Sequence, residues 1–331
     1  MSQAVPATVP RSPWLTAAGW RALFRDRPII PLVVLLVLLV VLFELGPSSV
    51  SLNWAGVIFR QAVPLAILAG CQTLTMLTGG IDLSVGAVAS ASGFLVATLV
   101  GDLGLPMAIA IALIASGLVG LVNGIGAGVF RVHPLIMTLA MSLVVLGLAN
   151  VWQLQMVQTG SGVPPEFRAI GTELFFSVIP YSLVVFVPIA LVILVGLRRT
   201  GFGRLLYAIG DNPIAARLSG ARAWQVIIVL YIISSVLAGI AGFLISGLSN
   251  VASVTLADSQ VLPSVAAAVI GGTSIMGGRG GFGGTIVGAL ILTVITSLLS
   301  SLGYPEAVRQ ILFGSIIVAV AAAYTRVTEE S

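Results

Sequence analysis

The chain contains no lysine: all fifteen of its basic residues are arginines, set against eleven acidic residues, one histidine and one cysteine among 331 residues. A phosphate-binding P-loop needs a lysine to reach the nucleotide, so the chain cannot form a standard ATPase site of its own. Because Cys71 and His133 are single, an intrachain disulfide and a Cys/His zinc cluster are both excluded. Charge is scarce overall. Only 8% of residues are charged and 58% are hydrophobic, whereas an average soluble domain is roughly 25% charged. So much apolar surface is suited to lipid as the main solvent.

The composition that is present points the same way. Apolar runs long enough to cross a bilayer as helices follow one another almost end to end. Unbroken runs such as Ile29 to Phe43 do not fit the short alternating segments of a β-barrel. The expected fold is an all-α integral membrane protein of about ten transmembrane helices. They are placed at 29–45, 54–78, 81–100, 105–129, 134–157, 175–197, 224–248, 261–277, 281–302 and 306–324. Residues 1–28 read as a basic cytoplasmic tail, 29–324 as the transmembrane domain and 325–331 as a second cytoplasmic tail. The 38 glycines allow close helix approach and broken spans.

Arginines are retained on the cytoplasmic side during insertion, so their placement gives the spans a direction. With about ten crossings, twelve of the fifteen fall inside, including Arg131, Arg279 and the five between Arg198 and Arg222; Arg60, Arg168 and Arg309 do not. Both termini are therefore expected in the cytoplasm. The longest cytoplasmic loop, 198–223, contains a helix signal: Asn212 as N-cap, Pro213 at the first helical position and Gly220 to close it. Ala215, Ala216 and Leu218 are expected on its outer face. It reads either as an interfacial helix on the lipid headgroups or as a docking helix for a partner.

Four stretches together resemble the permease subunits of ATP-binding cassette importers for monosaccharides such as ribose, xylose and arabinose. They are Gly79-Gly80-Ile81-Asp82-Leu83-Ser84-Val85-Gly86, His133-Pro134-Leu135-Ile136-Met137-Thr138-Leu139, the 198–220 loop, and Gly271-Gly272-Thr273-Ser274-Ile275-Met276-Gly277-Gly278-Arg279-Gly280. The resemblance runs from about residue 30 to 324 and departs at Ala221, where the family usually has a branched aliphatic residue. It implies a cytoplasmic ATPase partner, a second permease copy, a periplasmic solute-binding protein and a bacterial inner-membrane location. It further implies that the loop, with Gly203, Arg204, Gly210, Asn212, Pro213, Ala215, Ala216 and Gly220, couples ATP hydrolysis to gating.

A sugar has many hydroxyls and no charge, so its path is expected to be lined by hydroxyl and amide groups. Asp82, Ser84, Asn123, Thr138 and Asn150 are the candidates at depth. Asp82 also reads as the cap of the helix that follows it, which sets the structural role beside a proton-relay one. No acid–base pair, nucleophile elbow or Ser/His/Asp pattern has sensible spacing. No catalytic residue, metal, cofactor or nucleic-acid partner is expected. Other solutes stay open for the same machinery: a nucleoside, a branched-chain amino acid or a furanosyl signalling molecule. A secondary carrier or passive channel is the alternative class.

Overall fold

The computed structural model describes residues 29–45, 52–156, 162–175 and 179–329; the expected amino-terminal tail lies outside them. The chain runs through α1 (Ile29–Leu45), α2 (Leu52–Met76), α3 (Val85–Leu103), α4 (Leu105–Gly128) and α5 (Pro134–Met156). A short amphipathic α6 (Pro165–Thr172) and a small hairpin, β1 (Leu174–Phe175) and β2 (Ile179–Pro180), precede α7 (Ser182–Arg199). The hairpin is antiparallel, with Leu174 opposite Pro180 and Phe175 opposite Ile179. Two short helices, α8 (Gly201–Asp211) and α9 (Pro213–Leu218), then lead into α10 (Ala223–Ser249). The chain ends with α11 (Val261–Ile270), α12 (Phe282–Ser301) and α13 (Glu306–Glu329). Among the described residues, seven helices are long and apolar enough to cross a membrane: α2, α3, α4, α5, α7, α10 and α12.

Helix α10 is the hub, packed against α2, α3, α4 and α6. Small residues make this possible. Gly120 and Gly124 of α4 lie against the α10 backbone at Tyr231, Ile232 and Ile228, and Gly242 of α10 lies against the Ala89 carbonyl of α3. A methyl group at any of these would force the backbones apart, which is why the apolar runs here are glycine-rich. By contrast, α4 and α5 turn large apolar side chains outward, Ile114, Leu118, Leu143, Leu148 and Leu154 among them, as helices facing lipid or another apolar surface do.

The region expected to be one span over 261–277 is built differently. Helix α11 has ten residues, so it rises about 15 Å, half of a ~30 Å hydrocarbon core. The other half is irregular. Val254 packs beside Phe94 and Ala149, the Ala257 N–H donates to Ser90 Oγ at 2.8 Å, and Ala257 and Asp258 lie against Gly86. Residues 251–258 therefore run antiparallel to α3, from the level of Phe94 down to that of Gly86, before α11 begins. Hydropathy registers such a segment as apolar without registering that its helix is broken. Two further boundaries differ from expectation: α7 starts at Ser182 and α13 continues to Glu329.

The two ends of the bundle differ in charge. The end where α4 and α7 finish and α10 and α12 begin carries Arg131, Arg198, Arg199, Arg204, Arg217, Arg222 and Arg279, together with the exposed Asp211. Toward the other end lie Asp102, Glu166, Glu173 and Glu306 with Arg60, Arg168 and Arg309. There Arg309 pairs with Glu306 at 3.0 Å, and Arg60 donates to the Thr172 carbonyl at 2.6 Å.

Candidate functional site

At the arginine-rich end, α8 and α9 form a bent pair. Thr200 caps α8 by accepting from the Gly203 N–H at 3.2 Å. Asn212 caps α9, its Oδ1 accepting from Ile214 and Ala215 at 3.0 and 2.9 Å, with Pro213 next and Gly220 at φ 88° beyond the end. The capping expected of Asn212 and Pro213 is thus present, on a helix of six residues. The expected outer face holds for Ala215 and Leu218 but not for Ala216, and Ile214 joins it. Ala216 is 4% exposed and belongs to the core, whereas Ile214 and Leu218 are 64% and 84% exposed and stand one turn apart. With a spacing of four residues they share one face. Arg204, Pro213, Ala215, Arg217 and Gly220 are also exposed, while Gly203 is buried at the α7–α8 corner.

The inner side of this pair rests on backbone. Gly210 sits directly against the Leu77 carbonyl and the Gly278 N–H, and that N–H donates to the same carbonyl at 3.0 Å. Tyr207 Oη donates to the Gly280 carbonyl at 2.9 Å; burial pushes the Tyr207 phenol up, with Arg198 opposing. The 271–281 turn holds its shape with positive φ at Gly272, Gly277, Gly278 and Gly280, a region open to glycine. Gly79, also at positive φ, faces the Met276 carbonyl, and Gly80 faces Pro134 and the Tyr231 hydroxyl. All four motif stretches therefore meet at one place.

Just deeper, in the break between α2 and α3, Asp82 is fully buried. Its backbone is held by Gln72, whose Nε2 donates to the Asp82 carbonyl at 2.7 Å and whose Oε1 accepts from its N–H at 3.2 Å. Its Oδ1 accepts from the Ser84 N–H at 2.9 Å and from Ser84 Oγ at 2.6 Å; Oδ2 accepts from Ser234 Oγ at 3.3 Å. Asn123 Nδ2 donates to Ser84 Oγ at 2.9 Å, and Thr138 Oγ1 accepts from the Leu83 N–H at 3.0 Å. Asp82, Ser84, Asn123 and Thr138 are each buried and form one knot tying α2, α3, α4, α5 and α10. Helix α3 begins at Val85, so Asp82 serves its first turn through Ser84 and not as the N-cap itself. Among the described residues Asp82 has no ion pair.

Asn150 is placed apart from that knot. It is exposed on α5, with its Nδ2 bonded to the Leu146 carbonyl at 2.8 Å, and Gln153 is exposed beside it. The broken segment packs against the same helix through Val254 and Ala149, and its Thr255, Asp258 and Ser259 are exposed. Non-helical backbone at membrane depth is tolerated where it is buried in protein or lines water. These three residues were missed in the sequence. The available signal was the cluster Thr255, Asp258, Ser259 and Gln260, polar groups immediately before an apolar run.

The profile of a family described as "branched-chain amino acid transport system / permease component" matches residues 55–321. The chain is 33% identical to the ribose import permease protein of Escherichia coli, over 89% of this chain and 92% of that protein. It is 30% identical to the fructose import permease protein of Rhizobium meliloti, over 88% and 82%. It is 30% identical to the galactofuranose transporter permease protein of Escherichia coli, over 80% and 77%. No solved structure matches the chain.

Proposed function

Because the chain belongs to the family of branched-chain amino acid transport system permease components, a family of multi-pass membrane proteins, we propose that it forms the membrane-spanning subunit of an ATP-driven monosaccharide importer. The relatives named for ribose, fructose and galactofuranose import support a sugar as the cargo. Hydrolysis is the work of a separate cassette ATPase, and this chain moves solute without catalysing a reaction.

The observation that carries this reading is the seating of α8 on the α2–α3 break and the glycine turn before α12. Force applied to the exposed Ile214–Leu218 face of α9 passes through α8 to the backbone of the α2–α3 link at Leu77 and of the turn before α12 at Gly278. The arginine-rich end is cytoplasmic, since arginines stay on that side. Both termini lie there too, with about ten passages through the bilayer of which the eighth is half irregular. The membrane is the bacterial inner membrane. A second permease copy completes the path, and a periplasmic binding protein delivers solute to the opposite end near α6.

Solute moves along the broken segment where it presents Thr255, Asp258 and Ser259 beside α5. Broken helices at mid-depth are where transporters place their solutes, because free hydrogen-bonding groups are available there. The Asp82 knot holds the spans that line this path. Alternating access follows from their movement as the ATPase pair closes.

The test is uptake of radiolabelled ribose into proteoliposomes containing the permease and its ATPase, with the solute-binding protein added outside. Uptake is expected only when ATP is hydrolysed and the binding protein is present. Uptake of ribose without ATP would overturn the importer reading.

A further inference from the structure

The Tyr231 hydroxyl is buried, with the residue 1% exposed, yet has no hydrogen-bond partner among the described residues. Buried hydroxyls in a low-dielectric core are nearly always paired, and a phenylalanine would fill this space without the desolvation cost. The hydroxyl lies 3.0 Å from where a Cβ on Gly80 would stand, two residues before Asp82. It is also three residues before Ser234 on the same face of α10. Ser234 is the α10 group that reaches Asp82 now, through a long bond of 3.3 Å, the longest in the knot.

On these observations, and resting on the importer reading above, we propose that Tyr231 is the alternative α10 partner of Asp82. Asp82 then acts as a two-position latch, bonded to Ser234 in this state and to the Tyr231 hydroxyl after α10 shifts. The shift needed is at most the rise of three helical residues, roughly 4.5 Å. Its direction is fixed: Tyr231 takes the place of Ser234 when α10 moves away from the α8–α9 end. A push on α9 has that direction, because α9 joins α10 through Ser219 to Arg222. Gly120 and Gly124 of α4 meet α10 through backbone and leave room for a displacement along it, while Gly239 and Gly247 of α10, seated against Ser116 and the Phe167 carbonyl, hold it short of three full residues. Small helix shifts of this kind are a known form of switching between packed states.

Tyr231 is thus a positioning residue for transport. Removing a hydroxyl that has no partner among the described residues leaves the resting fold intact, so the Tyr231→Phe variant separates this role from a structural one. Permease, ATPase and binding protein are reconstituted, with nitroxide labels on Phe130→Cys and Trp224→Cys reporting the movement of α10 along α4. The unsubstituted latch is expected to change the label distance by several ångströms on trapping with ATP and vanadate. Tyr231→Phe is expected to abolish that change, to lower ribose uptake at least tenfold at an unchanged KM, and to leave the unfolding temperature unchanged or higher. Ser234→Ala, which weakens the resting position, is expected to shift the label distance without ATP. A Tyr231→Phe variant with the full distance change and full uptake overturns the latch, as does one that unfolds at lower temperature. A protein that takes up no ribose yet shows the Tyr231-dependent shift supports the latch and overturns ribose as the cargo instead.

Discussion

The Gly278 N–H donates to the Leu77 carbonyl at 3.0 Å, and Gly210 lies against both groups. Three backbones from distant parts of the chain therefore meet with no side chain between them. The consequence is stiffness: a displacement of α8 cannot be absorbed by rotamer changes, because there are no rotamers at the contact.

Gly210→Ala places a methyl group on the Leu77 carbonyl and must separate α8 from the α2–α3 break. Overpacking of this kind costs about 1–3 kcal/mol. A lower unfolding temperature of the purified permease is expected, together with reduced sugar uptake per ATP hydrolysed by the assembled complex. Wild-type values for both would show that the contact is neither tight nor coupled.

The α9 surface gives a second prediction, and its sign depends on which residue is changed. Ile214 and Leu218 are exposed, so Ile214→Asp or Leu218→Asp is expected to leave the permease melting unchanged. Retention of the ATPase in a pull-down is expected to weaken at least tenfold, about 1.4 kcal/mol. Ala216 faces the core, so Ala216→Asp buries an unpaired charge and costs roughly 3–5 kcal/mol of permease stability. If the Ile214 and Leu218 variants retain ATPase normally, α9 is not the docking face.

How much of this was readable beforehand follows from what each signal measures. Apolar runs gave nine of the helices close to their observed positions, because a helix within a bilayer is apolar whether it meets lipid or other helices. The break before α11 was hidden, since hydropathy sums over a window and does not sense continuity. Helix α8 was also hidden. Its Gly201, Gly203 and Gly210 read as loop, although the latter two are there so that α8 can approach other backbone closely. Asp82, Ser84, Asn123 and Thr138 were each recognisable as polar groups at depth. That they bond to one another is a tertiary fact with no local sequence trace.

Orientation gives a third prediction. Cys71 is the single cysteine and is fully buried, so the natural chain forms an unreactive background for labelling. In intact spheroplasts, a membrane-impermeant maleimide is expected to label Glu166→Cys on α6 and to leave Arg217→Cys on α9 unlabelled. In inverted vesicles the pattern reverses. Labelling of both from one side would remove the assignment of the arginine-rich end to the cytoplasm.

The last prediction concerns the broken segment itself. Irregular backbone with exposed Thr255, Asp258 and Ser259 can sit at membrane depth only if water or another polar surface reaches it, since an unsatisfied backbone group in hydrocarbon costs several kcal/mol. Ser259→Cys is therefore expected to react with a charged, water-soluble thiosulfonate, at a rate that changes when the complex is trapped with ATP and vanadate. Leu118→Cys, on the apolar outer face of α4, is expected to react far more slowly. Bulk at the same position should then obstruct solute without touching the ATPase contact: Ser259→Trp lowers ribose uptake at least tenfold while the permease still retains the ATPase in a pull-down. Inert Ser259→Cys together with normal uptake by Ser259→Trp would place the segment against another protein surface, and the solute path would have to be sought elsewhere.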